Sequence, residues 1–264
     1  MYNPAGVSRV YSHSRLGTFE DCPRRFEYRY VLREPEAFES IEAFVGRQVH
    51  AVLERLQIFL ARGQVPSLRR VLQRFRTNFE ADFDPDRIRV IREGTPLEHY
   101  LSYGERCLEN YYRSHYPFDA DETISVEERV VFSLDPEGRY RMQGFIDRLA
   151  RAPDGALEIH DYKTSRRAPR QAQLDRDRQL ALYQIGVRAR YPEAREIRLV
   201  WHYLGPGRTF TSSRSEEALE ELRARTLELV REIEQTRRFE PRPGPLCAWC
   251  GYRDRCPASP HREE

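Results

Sequence analysis

Apolar residues recur at helical spacing in residues 41–62. Ile41, Phe44, Val45, Val49, Val52, Leu53, Leu56, Phe59 and Leu60 trace one stripe there and predict the clearest helix of the chain. The same period predicts helices near 67–80, 98–115, 171–190 and 215–238. The last opens with Ser215-Glu216-Glu217 and turns Leu219, Leu222, Leu229 and Ile233 inward. Near the start, Ser14 is placed as the N-cap of a short helix, which Cys22 and Pro23 interrupt before a second helical stretch carries Phe26 and Tyr30 one turn apart. Between 123 and 163 the period changes. TISVEERVVFSL, RYRMQGFIDRLAR and ALEIHDYKT read as three strands, parted by Asp135-Pro136-Glu137-Gly138 and Pro153-Asp154-Gly155. Connections this short predict an antiparallel meander. REIRLVWHYL (195–204) and a hairpin partner near 207–212 extend the sheet.

The strands carry the chemistry. GFIDR (144–148) and IHDYK (159–163) are apolar runs that each end in an acid, and the meander sets Asp147 and Asp161 on neighbouring strands, close enough to share a metal. Asp161 and Lys163, at i and i+2, point the same way. Two carboxylates that hold a hard divalent cation, beside an ammonium, are what phosphodiester hydrolysis requires. Lys163 is the only lysine; the other 43 basic side chains are arginine. A compact charge whose pKa can move is a role arginine does not fill. On the first long helix Gly46 and His50 lie one turn apart. A glycine there costs about 1 kcal/mol against alanine, which predicts a close approach, and His50 is a candidate metal ligand or a satisfied histidine. Gln179 and Tyr183 share one face of the 171–190 helix, placed to orient water or phosphate or to cap the core edge.

Cys247, Cys250 and Cys256 form C-x2-C-x5-C, a strong metal signal, with Cys22 a better fourth ligand than helix-borne Cys107, which is expected to pack as a small hydrophobe. Cys22 and Cys256 are each followed by proline, a pairing found beside iron–sulfur ligands; zinc is the alternative. Arg24, Arg25, Tyr28 and Arg29, and the loop residues Arg166, Arg167 and Arg170, are candidates for DNA contact or simply a solvated face.

Composition narrows the classes. Among 264 residues, 33% are charged and 39% apolar, with a net charge of +2, so nucleic-acid binding must come from local arginine clusters. No apolar run reaches the roughly 18 residues of a membrane span, and MYNPAGVSRV has no signal-peptide core, so a cytoplasmic protein is expected. No P-loop is present, because the one lysine lies in Asp161-Tyr162-Lys163.

Taken in order, S-x-S-R-L-x-T-F-x-x-C-P-R-R-F (12–26), G-x-x-x-H (46–50), GFIDR, DYKT (161–164), Q-L-x-x-Y (179–183) and the cysteine tail resemble the RecB-like branch of the PD-(D/E)XK nucleases, iron–sulfur members. That branch includes the AddB nuclease domain and CRISPR-associated RecB-like exonucleases. The resemblance implies an α/β, restriction-endonuclease-like core with a central mixed sheet flanked by helices. It implies one domain over 1–264, with 63–115 a helical insertion and 1–30 and 240–264 forming an iron–sulfur subregion. It implies Mg2+ or Mn2+ on His50, Asp147, Asp161 and the backbone carbonyl of Tyr162, with Lys163 positioning the attacking water. Gln179 and Tyr183 match its helix motif, and Cys22, Cys247, Cys250 and Cys256 its [4Fe–4S] ligands. Asp147 lacks the preceding proline of the family's PD element. The expected function is a DNA exonuclease acting on single-stranded or free ends, with a helicase or CRISPR adaptation partner. The alternatives are a DNA-end-binding subunit with a silent centre and a structure-directed endonuclease.

Overall fold

The computed structural model describes residues 10–260; the expected terminal parts 1–9 and 261–264 lie outside the described residues. Strand β1 (Val10–Tyr11) leads into α1 (His13–Asp21) and α2 (Pro23–Phe26), which runs on as a wide turn of helix over Glu27–Val31. The cap of α1 is Ser12, whose hydroxyl accepts from Arg15 N at 3.2 Å; Ser14 falls inside the first turn. Pro23, with no N–H to leave unpaired, opens α2.

Short β2 (Glu39–Ser40) precedes α3 (Ile41–Leu60), capped by Ser40. Then come α4 (Leu68–Asp82), β3 (Ile88–Arg89) and α5 (Leu97–His115), and these helices share one core with Tyr162 and Leu204. Strands β4 (Glu122–Ser133), β5 (Arg141–Arg151) and β6 (Leu157–Lys163) form the antiparallel meander that the turns predict. Past β6 the expected helix is broken in two, α6 (Gln171–Leu174) and α7 (Gln179–Arg190). Asp177 Oδ1 accepts from Gln179 N at 2.9 Å, so an aspartate in the DRD run starts a new helix. Parallel to β6 runs β7 (Ile197–Tyr203), followed by β8 (Arg208–Ser212) and α8 (Glu216–Gln235). A parallel pair requires a crossover, and α6–α7 supply it. On α8 the inward positions are Leu219, Leu222, Thr226, Val230 and Ile233; Leu229 is half-buried, because the stripe drifts at 3.6 residues per turn.

The sheet runs β1-β5-β6-β7-β8 with β4 on the far edge of β5. β5 pairs with β6 over Arg148–Arg151 and with β1 at Arg141 and Met142. Between those ladders, residues 143–147 of that edge have no strand partner among the described residues, and the strands part as a fork. Over the fork lies Tyr183 of α7; a Cβ on Gly144 would come within 2.0 Å of its ring. One sheet face carries the core shared with α1, α7 and α8, the other faces α3 and α5.

Candidate active site

The fork brings the predicted groups together. Tyr162 N–H donates to Asp147 Oδ2 at 2.7 Å, tying the two acid-bearing strands where their ladder ends. From α3, His50 places Nε2 2.8 Å from the Tyr162 carbonyl oxygen and Nδ1 3.5 Å from Asp147 Oδ1. Gly46 makes that packing feasible: a Cβ there would lie 3.2 Å from Thr164 Oγ1. The close approach predicted for this glycine is thus to the end of β6.

Asp161 is 4% exposed. Its Oδ1 accepts from Lys163 Nζ at 3.0 Å and from Gln179 Nε2 at 2.9 Å, while Gln179 Oε1 accepts from Lys163 at 2.8 Å. Oδ2 sits 2.7 Å from the ammonium but without hydrogen-bond alignment. Burial pushes the Asp161 carboxyl up to about 6; Lys163 pulls it down and Asp147 raises it further. Burial works against charge on Lys163, but Asp161 and Asp147 outweigh it, so the ammonium is held above its ordinary range. His50 follows the same pattern, with burial opposed by Asp147, Asp161 and the Tyr162 carbonyl. The charges form a frustrated set, with carboxylates crowded against one another and one oxygen unsatisfied.

One residue that sequence reasoning missed belongs here. Glu127, His50 and Asp147 offer ligand atoms all within 4.8 Å of one another. Its neighbours Val126 and Glu128 pair with Arg148 and Ile146, which sets Glu127 opposite Asp147. The backbone there has φ 47°, a left-handed strand residue that costs roughly 1–3 kcal/mol and re-aims the side chain. Burial raises its carboxyl, and Asp147 adds to that. The register of the β4–β5 hairpin, counted from its turn, was the available signal.

A second group, Asp121, Glu158 and His160, has the same spacing. Its centre is taken by the Arg148 guanidinium, which grips Asp121 at 2.7 and 2.6 Å and lies 3.0 Å from His160 Nε2. His160 stacks on His202 with Nδ1 and Nε2 2.9 Å apart, and Tyr162 Oη meets Tyr111 Oη at 3.2 Å. So α5, which shows no chemistry in sequence, braces β6 from behind; Tyr103 Oη also donates to the Thr164 carbonyl at 2.8 Å.

Cys22, Cys247, Cys250 and Cys256 line one cavity joining the two ends of the described chain. Arg242 N and Gly244 N point at Cys22 Sγ and Cys247 Sγ, each at 3.4 Å. Arg24, Arg25 and Tyr28 line that cavity too, and Arg29, like Arg25, pairs with Glu36. Cys107 is buried in the helical core, where burial pushes its thiol up to about 11. Arg166 and Arg167 lie beyond Thr164, and Arg170 N donates to Gln173 Oε1 at the start of α6.

The donors fit a hard cation. Carboxylate oxygens of Glu127 and Asp147 converge with the His50 imidazole, a set that suits a hard divalent cation, whereas the predicted ligand Asp161 is not part of that close-set group and lies against Lys163.

A family model described as the PD-(D/E)XK nuclease superfamily matches residues 10–257. One subunit of the ATP-dependent helicase/deoxyribonuclease of Streptococcus pyogenes serotype M49 (strain NZ131) is 28% identical over 167 residues, 61% of this chain. Its counterpart in serotype M1 is equally similar. The chain spans about 15% of the length of these curated relatives. A crystal structure described as "Putative exonuclease" from Eubacterium rectale superposes with a TM-score of 0.52 at 12% identity, covering 100% of this chain and 91% of that one. It shares the fold. Among the described residues, no helix is long and apolar enough to cross a membrane.

Proposed function

The chain belongs to the PD-(D/E)XK nuclease superfamily, and from that premise we propose that it is a metal-dependent exonuclease acting on single-stranded DNA ends, with a structural [4Fe–4S] cluster. One observation supports the reading: His50, Asp147 and the Tyr162 backbone meet at the fork, and Asp161 pairs with the chain's single lysine alongside them. His50, Asp147, Asp161, the Tyr162 carbonyl and Glu127 would hold Mg2+ or Mn2+, which would polarise the phosphate and acidify a water. Gln179 fixes Lys163 through Oε1 and Asp161 through Nε2, so the ammonium is aimed before DNA arrives. Lys163 then orients the attacking water and meets the charge that grows on the phosphate. Tyr183, seated on Gly144, closes the back of the site.

Four cysteines on one cavity, two of them facing backbone N–H groups, support the cluster. Joining Cys22 to the tail closes a loop of more than 220 residues and stabilises the fold by on the order of 5 kcal/mol. The chain is then one nuclease domain, with α4 and α5 a helical insertion that braces it. The name of the streptococcal relatives supports a helicase partner. These 264 residues contain no Gly-Lys pair for a P-loop, so unwinding coupled to this site comes from other residues.

The test is digestion of end-labelled single strands, duplexes and closed circles with Mg2+ or Mn2+. Metal-dependent loss of single-stranded ends, circles spared and Lys163→Ala inert, is the expected result. Equal digestion by wild type and Lys163→Ala would overturn the assignment. Binding without cleavage under either metal would leave a silent end-binding subunit.

A further inference from the structure

The β4–β5 hairpin buries one face and leaves the other open beside the metal site. Met142 and Ile146 of β5, with Val130 and Phe132 of β4, turn into the core beneath α7 and α8. Strand alternation sends the residues between them the opposite way, onto the face from which α3 brings His50 to Asp147. Helix α3 does not cover that face to its end: Phe145 is 53% exposed and Val131 43%. Register fixes how near they lie to the chemistry. Glu127 stands opposite Asp147; the next pair on that face is Arg129 with Phe145, and the one after it Val131 with Gln143. Two residues along a strand span about 7 Å, roughly one nucleotide of an extended chain.

Neither member of the Arg129–Phe145 pair is used up by the protein. Among the described residues the Phe145 ring stacks on no other ring and carries no cation. Arg129 is exposed, donates through Nη2 to Gln143 Oε1 at 2.8 Å, and pairs with no carboxylate among the described residues. Gln143 therefore holds the guanidinium in place without neutralising it. A free ring beside an uncompensated cation suits a base and its phosphate. Every base offers a flat face, so such a contact is indifferent to sequence. In a duplex those faces are taken up by neighbouring bases, so only an unpaired nucleotide can use it.

We propose that Phe145 and Arg129 form a stacking platform for the unpaired nucleotide next to the bond to be cut. The base lies on the Phe145 ring, Val131 extends the apolar surface, and Arg129 takes the phosphate. A preference for single strands then comes from this hairpin face and not from the metal ligands, which meet only the phosphate. The inference rests on the nuclease reading for its substrate, and its test is kept separate from cleavage.

Fluorescence anisotropy in EDTA, with labelled oligo(dT) and a blunt duplex of the same length, measures binding without turnover. Phe145→Ala should weaken oligo(dT) about tenfold and move the duplex less than about twofold. More than half of the residue is exposed, so the far-UV spectrum should stay as it is. Phe145→Trp should restore the affinity, with indole fluorescence quenched by the DNA beyond any change in wild type, a signal that a merely structural ring would not give. Arg129→Gln should lower the salt slope for oligo(dT) by about 0.7. Oligo(dT) binding that is the same in wild type and Phe145→Ala, or a duplex weakened as much as the single strand, overturns the platform. Cleavage with Mg2+ or Mn2+ is scored on the same preparations. The single-strand pattern without cleavage would sink the nuclease reading and leave the platform standing; cleavage without the pattern would do the reverse.

Discussion

Strand β6 carries polar side chains on both of its faces, and the two faces end differently. Toward α3 and α5, Glu158, His160 and Tyr162 meet groups that satisfy them. Arg148 holds Asp121 and His160, His202 links His160 to Thr209, and Tyr162 reaches Gln57 through Tyr111. Toward α7 and the fork, Asp161 and Lys163 have Gln179 and each other, and beside them Glu127 and Asp147 gather round the His50 imidazole with no arginine or lysine between them. Both regions bring three ligand-type groups within 4.8 Å, yet a guanidinium already occupies one of them. Ligand spacing alone therefore does not mark a metal site. What separates the two is whether the protein has supplied the positive charge itself.

The largest expected effect lies on the catalytic side. Lys163→Ala should lower single-turnover cleavage at least 10^3-fold, measured at saturating Mn2+, and a fall under tenfold would put the ammonium outside the chemistry. On the closed side, Arg148→Ala strips the cation from Asp121 and should cost about 3–5 kcal/mol in urea unfolding, as breaking a buried pair does. Unchanged stability would mean that the network carries no weight.

Metal addition sharpens the contrast. Mn2+ at about 100 times its dissociation constant should stabilise the protein by about 2.7 kcal/mol, read as a rise in thermal midpoint. Asp147→Asn should abolish that rise, whereas Asp121→Asn should lower the midpoint but keep it. A rise lost in both variants would erase the distinction.

Acid separates the faces by sign. Burial holds His160 and His202 well below the ordinary imidazole range, so the unfolded chain takes up protons first as pH falls below about 6.5. Each then removes up to about 1.4 kcal/mol of stability per pH unit, and above 6.5 neither contributes. Asp161, raised to about 6, does the opposite, gaining its proton in the folded state first and offsetting part of that loss. Urea unfolding at pH 7.5 and 5.5 should show the loss, steeper in Asp161→Asn; a flat profile would contradict it. The smallest effect is Tyr111→Phe, about 1 kcal/mol in the same assay, for a hydroxyl that bridges Gln57 and Tyr162.

Much of the site was legible because it follows from local periodicity. Asp161 and Lys163 share a face by the two-residue repeat of a strand, and Gly46 and His50 align by the turn of a helix. The meander, set by two turns of unmistakable composition, placed Asp147 beside Asp161. Glu127 was legible only through a long count of strand register. It depends on the register of a 12-residue strand and on a left-handed residue within it. Arg24, Arg25 and Tyr28 suited a phosphate backbone by type, but folding gathers them round the cysteines.

By itself the sequence determined the elements, the pairing of the meander and the identity of the groups able to do chemistry, because short-range periodicity and turn composition act within a few residues. Only the tertiary structure decided which polar groups found partners. Arg148 closes on Asp121 across 27 residues, while Glu127 and Asp147 meet only the His50 imidazole. That choice rests on distances between segments far apart in the chain, and on burial, which no local pattern encodes.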